Sequence, residues 1–293
     1  MPDFLELIAD VGGSSSRWAL LAENGNAVRL SGGHAVLPGF NPTVQSSGAF
    51  VEVLKATLRD ALPAGAELDK LVVYGAGCGT DERKQRMRSA LANIVPANEV
   101  VIETDLLGAA RGLCADAPGL VLILGTGMNA GWFDGTVLQT PMPSLGWVLG
   151  DEGSGADIGK RLLADAVHGA IPPSLMPVVF GKDSLLASEA LALISASASP
   201  SSAVAFYAGK LTTLEGEGYV RDLLADRFAA LGSLLRKYFG SRAPCSISAT
   251  GGIANGYSAM LRTSLAAFGF EIRKVEADPM EGLIAWHRRR LPR

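Results

Sequence analysis

The segment Asp10-Val11-Gly12-Gly13-Ser14-Ser15-Ser16-Arg17 decides how this chain reads. It follows the short apolar run Leu5 to Ala9 and leads at once into a second run, Trp18 to Leu21. Two apolar runs around a glycine and hydroxyl turn predict a β-hairpin. The pattern continues through the Asn-Gly turn Glu23-Asn24-Gly25-Asn26 into Ala27-Val28-Arg29-Leu30, which makes a three-strand meander. The same layout returns at Leu120. Leu120-Val121-Leu122-Ile123-Leu124 reads as a strand, Gly125-Thr126-Gly127-Met128-Asn129 as a glycine-hydroxyl turn and Ala130-Gly131-Trp132-Phe133 as a second strand. Asp134-Gly135 then turns into Thr136-Val137-Leu138. The recurrence predicts an internal duplication.

Helices follow strands elsewhere in the chain, so the sheets are expected to be mixed α/β with ligands at strand ends. Phe50, Val53, Leu54, Leu58 and Leu62 share one helical face. Leu71-Val72-Val73-Tyr74 reads as a strand leading into Gly75-Ala76-Gly77, and a helix is expected over Asp81 to Asn93. Val100-Val101-Ile102 reads as a strand ending at Glu103-Thr104-Asp105, before a small-residue helix containing Gly108-Ala109-Ala110. Helices are expected over Ser154–His168, Ser184–Ile194, Pro200–Leu211 and Tyr219–Phe239, and a strand over Ser246–Ala249. Asp278-Pro279-Met280-Glu281 opens a last helix to about Arg290, packed through Leu283, Ile284 and Trp286.

Composition narrows the function. Lys and Arg number 26 against 29 Asp and Glu, a net charge of −3. That balance argues against a partner held through phosphates or an anionic membrane. The one dense basic stretch, His287-Arg288-Arg289-Arg290, is expected to be a last helical turn facing solvent. Apolar residues make up 48% and charged residues 19%, the balance of a chain with a large core. Three scattered cysteines, Cys78, Cys114 and Cys245, supply neither a disulfide framework nor a four-ligand zinc site. No apolar run approaches the ~18–20 residues of a membrane span, and the first residues carry acid rather than base. The expectation is a soluble cytoplasmic protein. Glycine is in excess, 35 of 293 residues against an average of about 7%. Its clusters follow apolar strands, where backbone amides can hold a ligand.

Three places carry candidate chemistry. Gly12-Gly13-Ser14 is suited to phosphate oxygens, with Asp10 holding a magnesium ion through water. A plain hairpin turn would look the same in isolation, and the second turn at Gly125-Thr126-Gly127 favours the ligand. Gly146-Trp147-Val148-Leu149-Gly150-Asp151-Glu152-Gly153-Ser154 brackets two carboxylates with glycines before a helix start, either to bind a ligand or to favour the helix dipole. Asp105 ends an apolar strand, where a carboxylate serves either as a helix cap or as the base that takes an alcohol proton in phosphoryl transfer. No Gly-x-Ser-x-Gly elbow, Cys/His pair or Walker P-loop is present.

Together these segments resemble the acetate and sugar kinase, heat-shock chaperone and actin superfamily, and within it the N-acetylglucosamine kinase and BadF/BadG-type ATPase family. Asp10 through Arg17 is similar to the first phosphate motif, Gly125 through Asn129 to the second, and Ala249-Thr250-Gly251-Gly252-Ile253-Ala254 to the adenosine motif. Gly39-Phe40-Asn41-Pro42, Thr104-Asp105 with Gly108-Ala109, and Gly146 through Gly155 resemble the sugar-site segments. The resemblance implies two ribonuclease-H-like α/β domains, an actin-like ATPase fold, around a central nucleotide and sugar cleft. The first domain would span residues 1–111 and the second 112–278, with the C-terminal helix 279–293 packing back on the first. The implied activity is an ATP- and Mg2+-dependent sugar kinase acting on the 6-hydroxyl of N-acetylglucosamine or a close amino sugar.

The resemblance assigns Asp105 as base, and Asn41, Asn129, Gly146, Trp147 and Asp151 to the sugar. It gives ATP to Asp10, Gly12, Gly13, Ser14, Ser15, Arg17, Gly125, Thr126, Gly127, Gly251, Gly252, Ile253 and Ala254, with the metal at Asp10. A homodimer is the family's implication. Ser14 replaces a usual threonine and keeps the hydroxyl, while Met128 stands where a serine is common, and this second departure bears on the substrate. Three further readings stand beside this one: a partner-coupled ATPase of the BadF/BadG type, a kinase for glucosamine or N-acetylmuramic acid, and a sugar or nucleotide sensor without turnover.

Overall fold

The computed structural model describes residues 4–30, 37–43, 47–61, 68–92, 94, 96–243 and 245–291. The first strands are β1 (Leu5–Val11), β2 (Ser15–Ala22), β3 (Ala27–Arg29) and β4 (Leu37–Pro38). Then come α1 (Gly48–Ala61), β5 (Leu68–Gly75), α2 (Asp81–Leu91), β6 (Ala97–Thr104) and α3 (Asp105–Cys114). A second run of strands follows as β7 (Gly119–Leu124), β8 (Met128–Phe133) and β9 (Leu138–Gln139). The helices α4 (Gly146–Leu149), α5 (Gly155–Val167), α6 (Met176–Phe180), α7 (Ala187–Ser195), α8 (Pro200–Lys210) and α9 (Gly218–Phe239) come next. The chain ends with β10 (Cys245–Thr250), α10 (Gly252–Gly256), α11 (Ser258–Ala266), β11 (Phe270–Glu276) and α12 (Met280–Arg288). It divides into two compact units, residues 1–116 with 279–293, and residues 117–278. Leu62 and Asn93, expected at helix ends, lie outside the described residues.

The first unit carries a sheet in the order β3-β2-β1-β5-β6, with β4 on β2. β1 pairs antiparallel with β2 and parallel with β5, and β5 parallel with β6. The second unit carries β9-β8-β7-β10-β11, with β7 antiparallel to β8 and parallel to β10. Order and direction repeat strand for strand, so the duplication seen in the two glycine turns extends to the topology of each sheet.

Alternation along β1 divides the first unit's core. Leu7, Ala9 and Val11 face Phe50 and Leu54 of α1 and Met87 of α2. Ile8 faces the other way, with Ala19, Leu21, Val72 and Tyr74, against Met280, Leu283 and Ile284 of α12. Each of the larger side chains among these, Leu, Ile, Val, Phe or Met, contributes about 1.5–3 kcal/mol when fully buried. The helices start where capping residues stand: Thr104 accepts the Leu107 amide at 3.2 Å and Ser154 the Asp157 amide at 3.2 Å.

Three expectations need correction. The basic turn at 287–290 is only partly in solvent: Arg288, Arg289 and Arg290 are exposed, but His287 is buried. It faces the sheet because it lies one turn beyond Leu283 and Ile284, and there it finds two polar partners, Tyr74 and Glu6. Met128 and Asn129 open β8 rather than ending the turn, because they pair with Leu124 and Ile123 across the hairpin. The third strand of the second meander is Leu138–Gln139, beginning two residues later than the expected Thr136–Leu138, because the Asp134 carboxylate accepts both the Thr136 and Val137 amides and holds that stretch in a turn.

Candidate active site

In the first unit, the carboxyl ends of β1, β5 and β6 bring together the residues that the sequence singles out. Asp10 stands in register with Arg17 on one side and Tyr74 on the other, and an Arg17 Nη1 to Asp10 Oδ2 distance of 3.8 Å pairs the charges. The turn Gly12-Gly13-Ser14 closes with the Gly12 amide donating to Ser15 O at 2.8 Å. It is pressed down by the Gly39-Phe40 segment, whose Phe40 amide donates to Gly12 O at 3.0 Å. A β-carbon on Gly39 would stand 2.2 Å from Gly12 O, so only glycine allows this approach.

Asn41 follows directly. Its Oδ1 accepts the Thr43 amide at 2.9 Å and rests against Gly77, where a β-carbon would lie 2.3 Å away. Gly77 has φ +74°, a left-handed conformation that suits glycine. The loop Gly75-Ala76-Gly77-Cys78 therefore belongs to the site's walls, although sequence reading gave it no role.

Asp105 is the first residue of α3, and its Oδ1 accepts the Leu106 amide at 2.8 Å. It is half-buried. Desolvation, then the charge of Asp10, push its carboxyl up to about 7, against the downward pull of the amide bond. The Cys78 thiol is buried beside it, raised to about 12 by desolvation and by the Asp105 charge. A thiol so raised is an inert filler.

The second unit builds a matching end on β7, β8 and β10. The Gly125 amide donates to Gly127 O at 3.0 Å, and the first turn of α5 ties this loop down through Gly155 N to Gly125 O at 2.8 Å and Ala156 N to Thr126 O at 3.0 Å. Gly251, at φ +111°, lies so close that a β-carbon would stand 2.5 Å from Leu124 O. The second phosphate-like turn and the Gly251-Gly252 segment thus share one locus. Ile253 and Ala254 point into the core, so this stretch presents its backbone at Gly251-Gly252.

Asp151 has φ +62°, rare for a residue with a β-carbon, and lies over Gly127. Burial pushes its carboxyl up to about 6, opposed by a hydrogen bond from the Met128 amide, with Glu152 adding to the rise. The Met128 side chain is buried in the core, and it is its amide that meets the Asp151 carboxylate. The loop is braced by the Gly153 amide donating to Asp157 Oδ2 at 2.9 Å. Lys160 Nζ donates to the Trp147 carbonyl, which anchors the short helix after Gly146. Asn129 occupies the second position of β8, half-buried opposite Ile123.

One solved structure, of a candidate N-acetylglucosamine kinase from Porphyromonas gingivalis, is 26% identical to this chain, covering 97% of it and 98% of that protein with a TM-score of 0.82. The chain has the actin-like ATPase fold of the N-acetylglucosamine kinase-like proteins. A second candidate N-acetylglucosamine kinase, from Chromobacterium violaceum, is 17% identical over 98% of this chain and 99% of its own, with a TM-score of 0.69. A ROK family glucokinase from Streptomyces griseus, solved with glucose and AMPPNP, shares the actin-like ATPase fold at 15% identity, 97% of each chain and a TM-score of 0.57. No family model matches the chain, and no curated protein matches it. No helix among the described residues is long and apolar enough to cross a membrane.

Proposed function

We propose that this chain is an ATP-dependent amino-sugar kinase that transfers the γ-phosphoryl group of ATP to the 6-hydroxyl of N-acetylglucosamine or a close relative. The observation that carries the proposal is Asp105, a carboxyl at the junction of β6 and α3 whose burial and neighbour Asp10 bring its pKa up to about 7. A general base is most effective when its pKa lies near the working pH. The likeness to sugar kinases supports a sugar-kinase phosphotransferase, and the neighbour holding AMPPNP supports ATP.

In this reading Asp105 takes the proton of the sugar hydroxyl as its oxygen closes on the γ-phosphorus. The new O–P bond forms as the bond to the bridging oxygen breaks, and ADP leaves with that electron pair. Positioning and charge neutralisation supply most of the acceleration in such a transfer. Asn41, Asn129, Gly146, Trp147 and Asp151 orient the sugar. The amides and hydroxyls of Gly12, Gly13, Ser14, Ser15, Gly125, Thr126 and Gly127 hold phosphate oxygens with Arg17, and Gly251 through Ala254 lie along the nucleoside.

Among the described residues no group of three or more His, Cys, Asp or Glu gathers as a ready metal site. A magnesium ion usually takes one or two carboxylates with phosphate and water, and Asp10, an oxygen ligand close enough to Asp105 to raise its pKa, fits that demand. When bound, the ion supplies neutralisation of phosphate charge.

The test is ADP release from ATP and magnesium with N-acetylglucosamine, glucosamine, N-acetylmuramic acid or no sugar. Strong stimulation by one amino sugar supports the reading and names the substrate. Release indifferent to every sugar overturns it in favour of a partner-coupled ATPase, and absence of release overturns it in favour of a sensor.

A further inference from the structure

A chain of buried polar groups runs through the first unit, apart from the residues assigned to substrate. Arg111 Nη1 of α3 donates to Tyr74 Oη of β5 at 2.8 Å. Tyr74 Oη lies 2.8 Å from Nε2 of His287 in α12, and His287 Nδ1 lies 3.0 Å from Glu6 Oε1 of β1. Glu6, Tyr74 and His287 are each at most 5% exposed. Arginine only donates, so Tyr74 Oη accepts from Arg111, and the chain closes when the tyrosine proton goes to Nε2 of His287 and Nδ1–H to the Glu6 carboxylate. Every member is satisfied in that arrangement, and an unsatisfied member would cost about 1–3 kcal/mol.

The chain grips α3 from two sides. Gly108 is packed so tightly on the Tyr74 ring that a β-carbon would stand 2.7 Å from Tyr74 Cγ. On the α12 side, a β-carbon on Gly112 would meet Pro279 O at 2.6 Å, and the Arg111 guanidinium lies 4.3 Å from the Trp286 ring centroid. A helix held at Gly108, Arg111 and Gly112 has its axial position fixed, and its first residue is Asp105. Period-two alternation puts Glu6, Ile8 and Asp10 on the face of β1 that α12 covers, and Tyr74 is the β5 neighbour of Asp10.

We propose that Tyr74 and His287 are positioning residues for Asp105, their bonded chain to Arg111 and Glu6 setting where α3 stands and so where its first carboxyl meets the substrate hydroxyl. This rests on the reading of Asp105 as the base. A displacement of the order of an ångström in such a group costs about a hundredfold in rate.

The test uses Tyr74→Phe, which keeps the ring on Gly108, and His287→Gln in the full chain, alone and combined with Asp105→Asn. Each single variant is expected to lower kcat about 10- to 100-fold at 25 °C, with KM for ATP and for sugar changed less than about threefold. Ile284→Val, which loosens α12 through apolar contact alone, is expected to lower the melting temperature while leaving kcat within about twofold. In the Asp105→Asn background, Tyr74→Phe is expected to cost nothing further, because the group it positions is gone. Full additivity with Asp105→Asn, or a kcat loss from Ile284→Val equal to that of Tyr74→Phe, overturns the proposal. Near-normal turnover of Asp105→Asn alone overturns the base assignment and this inference with it.

Discussion

A β-carbon at Gly127 would stand 2.8 Å from Oδ2 of Asp151. The second glycine turn and the acidic loop are thereby one packed object, and the absent side chain at 127 is what lets the carboxylate lie where it does. The obstructing atom is the end of a short side chain, and Gly127 lies outside the left-handed region. Gly127→Ala is therefore accommodated by swinging Asp151 aside. Stability is expected to change by less than about 1 kcal/mol in a urea melt, while kcat/KM for the sugar falls more than about tenfold. Asp151→Ala should give a similar loss, and the double variant little more than either. Unchanged sugar kinetics in Gly127→Ala would remove Asp151 from the site.

Gly39 presents the opposite case. A β-carbon there would lie 2.2 Å from Gly12 O, 2.4 Å from Ser15 N and 2.7 Å from Ser14 N, all backbone atoms. Nothing can swing away, so Gly39→Ala must lift this segment off the first turn and stretch the Phe40 to Gly12 bond. The expected cost is on the order of 2–3 kcal/mol, with a raised KM for ATP as the turn loses its brace. A variant as stable as the parent with an unaltered KM would show that the turn does not depend on this contact.

The contrast between these two glycines shows what the sequence discloses. Both turns are legible because a hairpin between apolar strands needs glycine and hydroxyl residues there, and their recurrence exposes the duplication. The partners of those turns are not legible. Nothing in the order of residues says that Gly39 lies on Gly12, that Gly77 lies on Asn41 or that Gly251 lies on Gly125, because each contact is made by strand order and crossover. β11 escapes a reading of apolar runs because its exposed positions Glu271 and Arg273 interrupt Phe270 and Ile272, although the period of two is present. His287 is hidden among arginines: its burial depends on α12 docking against β1 and β5, a long-range event that composition does not record. Asp105 is legible as a strand-end carboxylate, but its raised pKa comes first from burial and then from Asp10, far away in sequence, and the order of residues records neither.

That raised pKa sets a pH profile. As pH falls through about 7, Asp105 takes up a proton and ceases to be a base. The kcat/KM for the sugar is expected to be level above that point and to drop about tenfold per pH unit below it. Asp151, raised to about 6, steepens the fall further down. A profile flat from pH 5 to 8 would exclude Asp105 as the proton acceptor.

The same group gives a stability prediction of definite sign. An unfolded Asp titrates near 3.9, whereas Asp105 in the fold titrates at about 7, mainly through burial and then through Asp10. Between those values the folded chain holds a proton that the unfolded chain has lost, so stability is highest on the acid side and declines as pH rises toward 7. Above 7 the folded protein carries the whole cost of a desolvated carboxylate, on the order of 2–4 kcal/mol. Asp105→Asn keeps an oxygen for the Leu106 amide and abolishes that cost. At pH 8 the variant should melt higher than the parent by several degrees while losing most turnover, and at pH 4 the two melting temperatures should converge. If Asp105→Asn is less stable at pH 8, the carboxylate is not a strained group in this fold, and the argument that burial prepares it as a base fails.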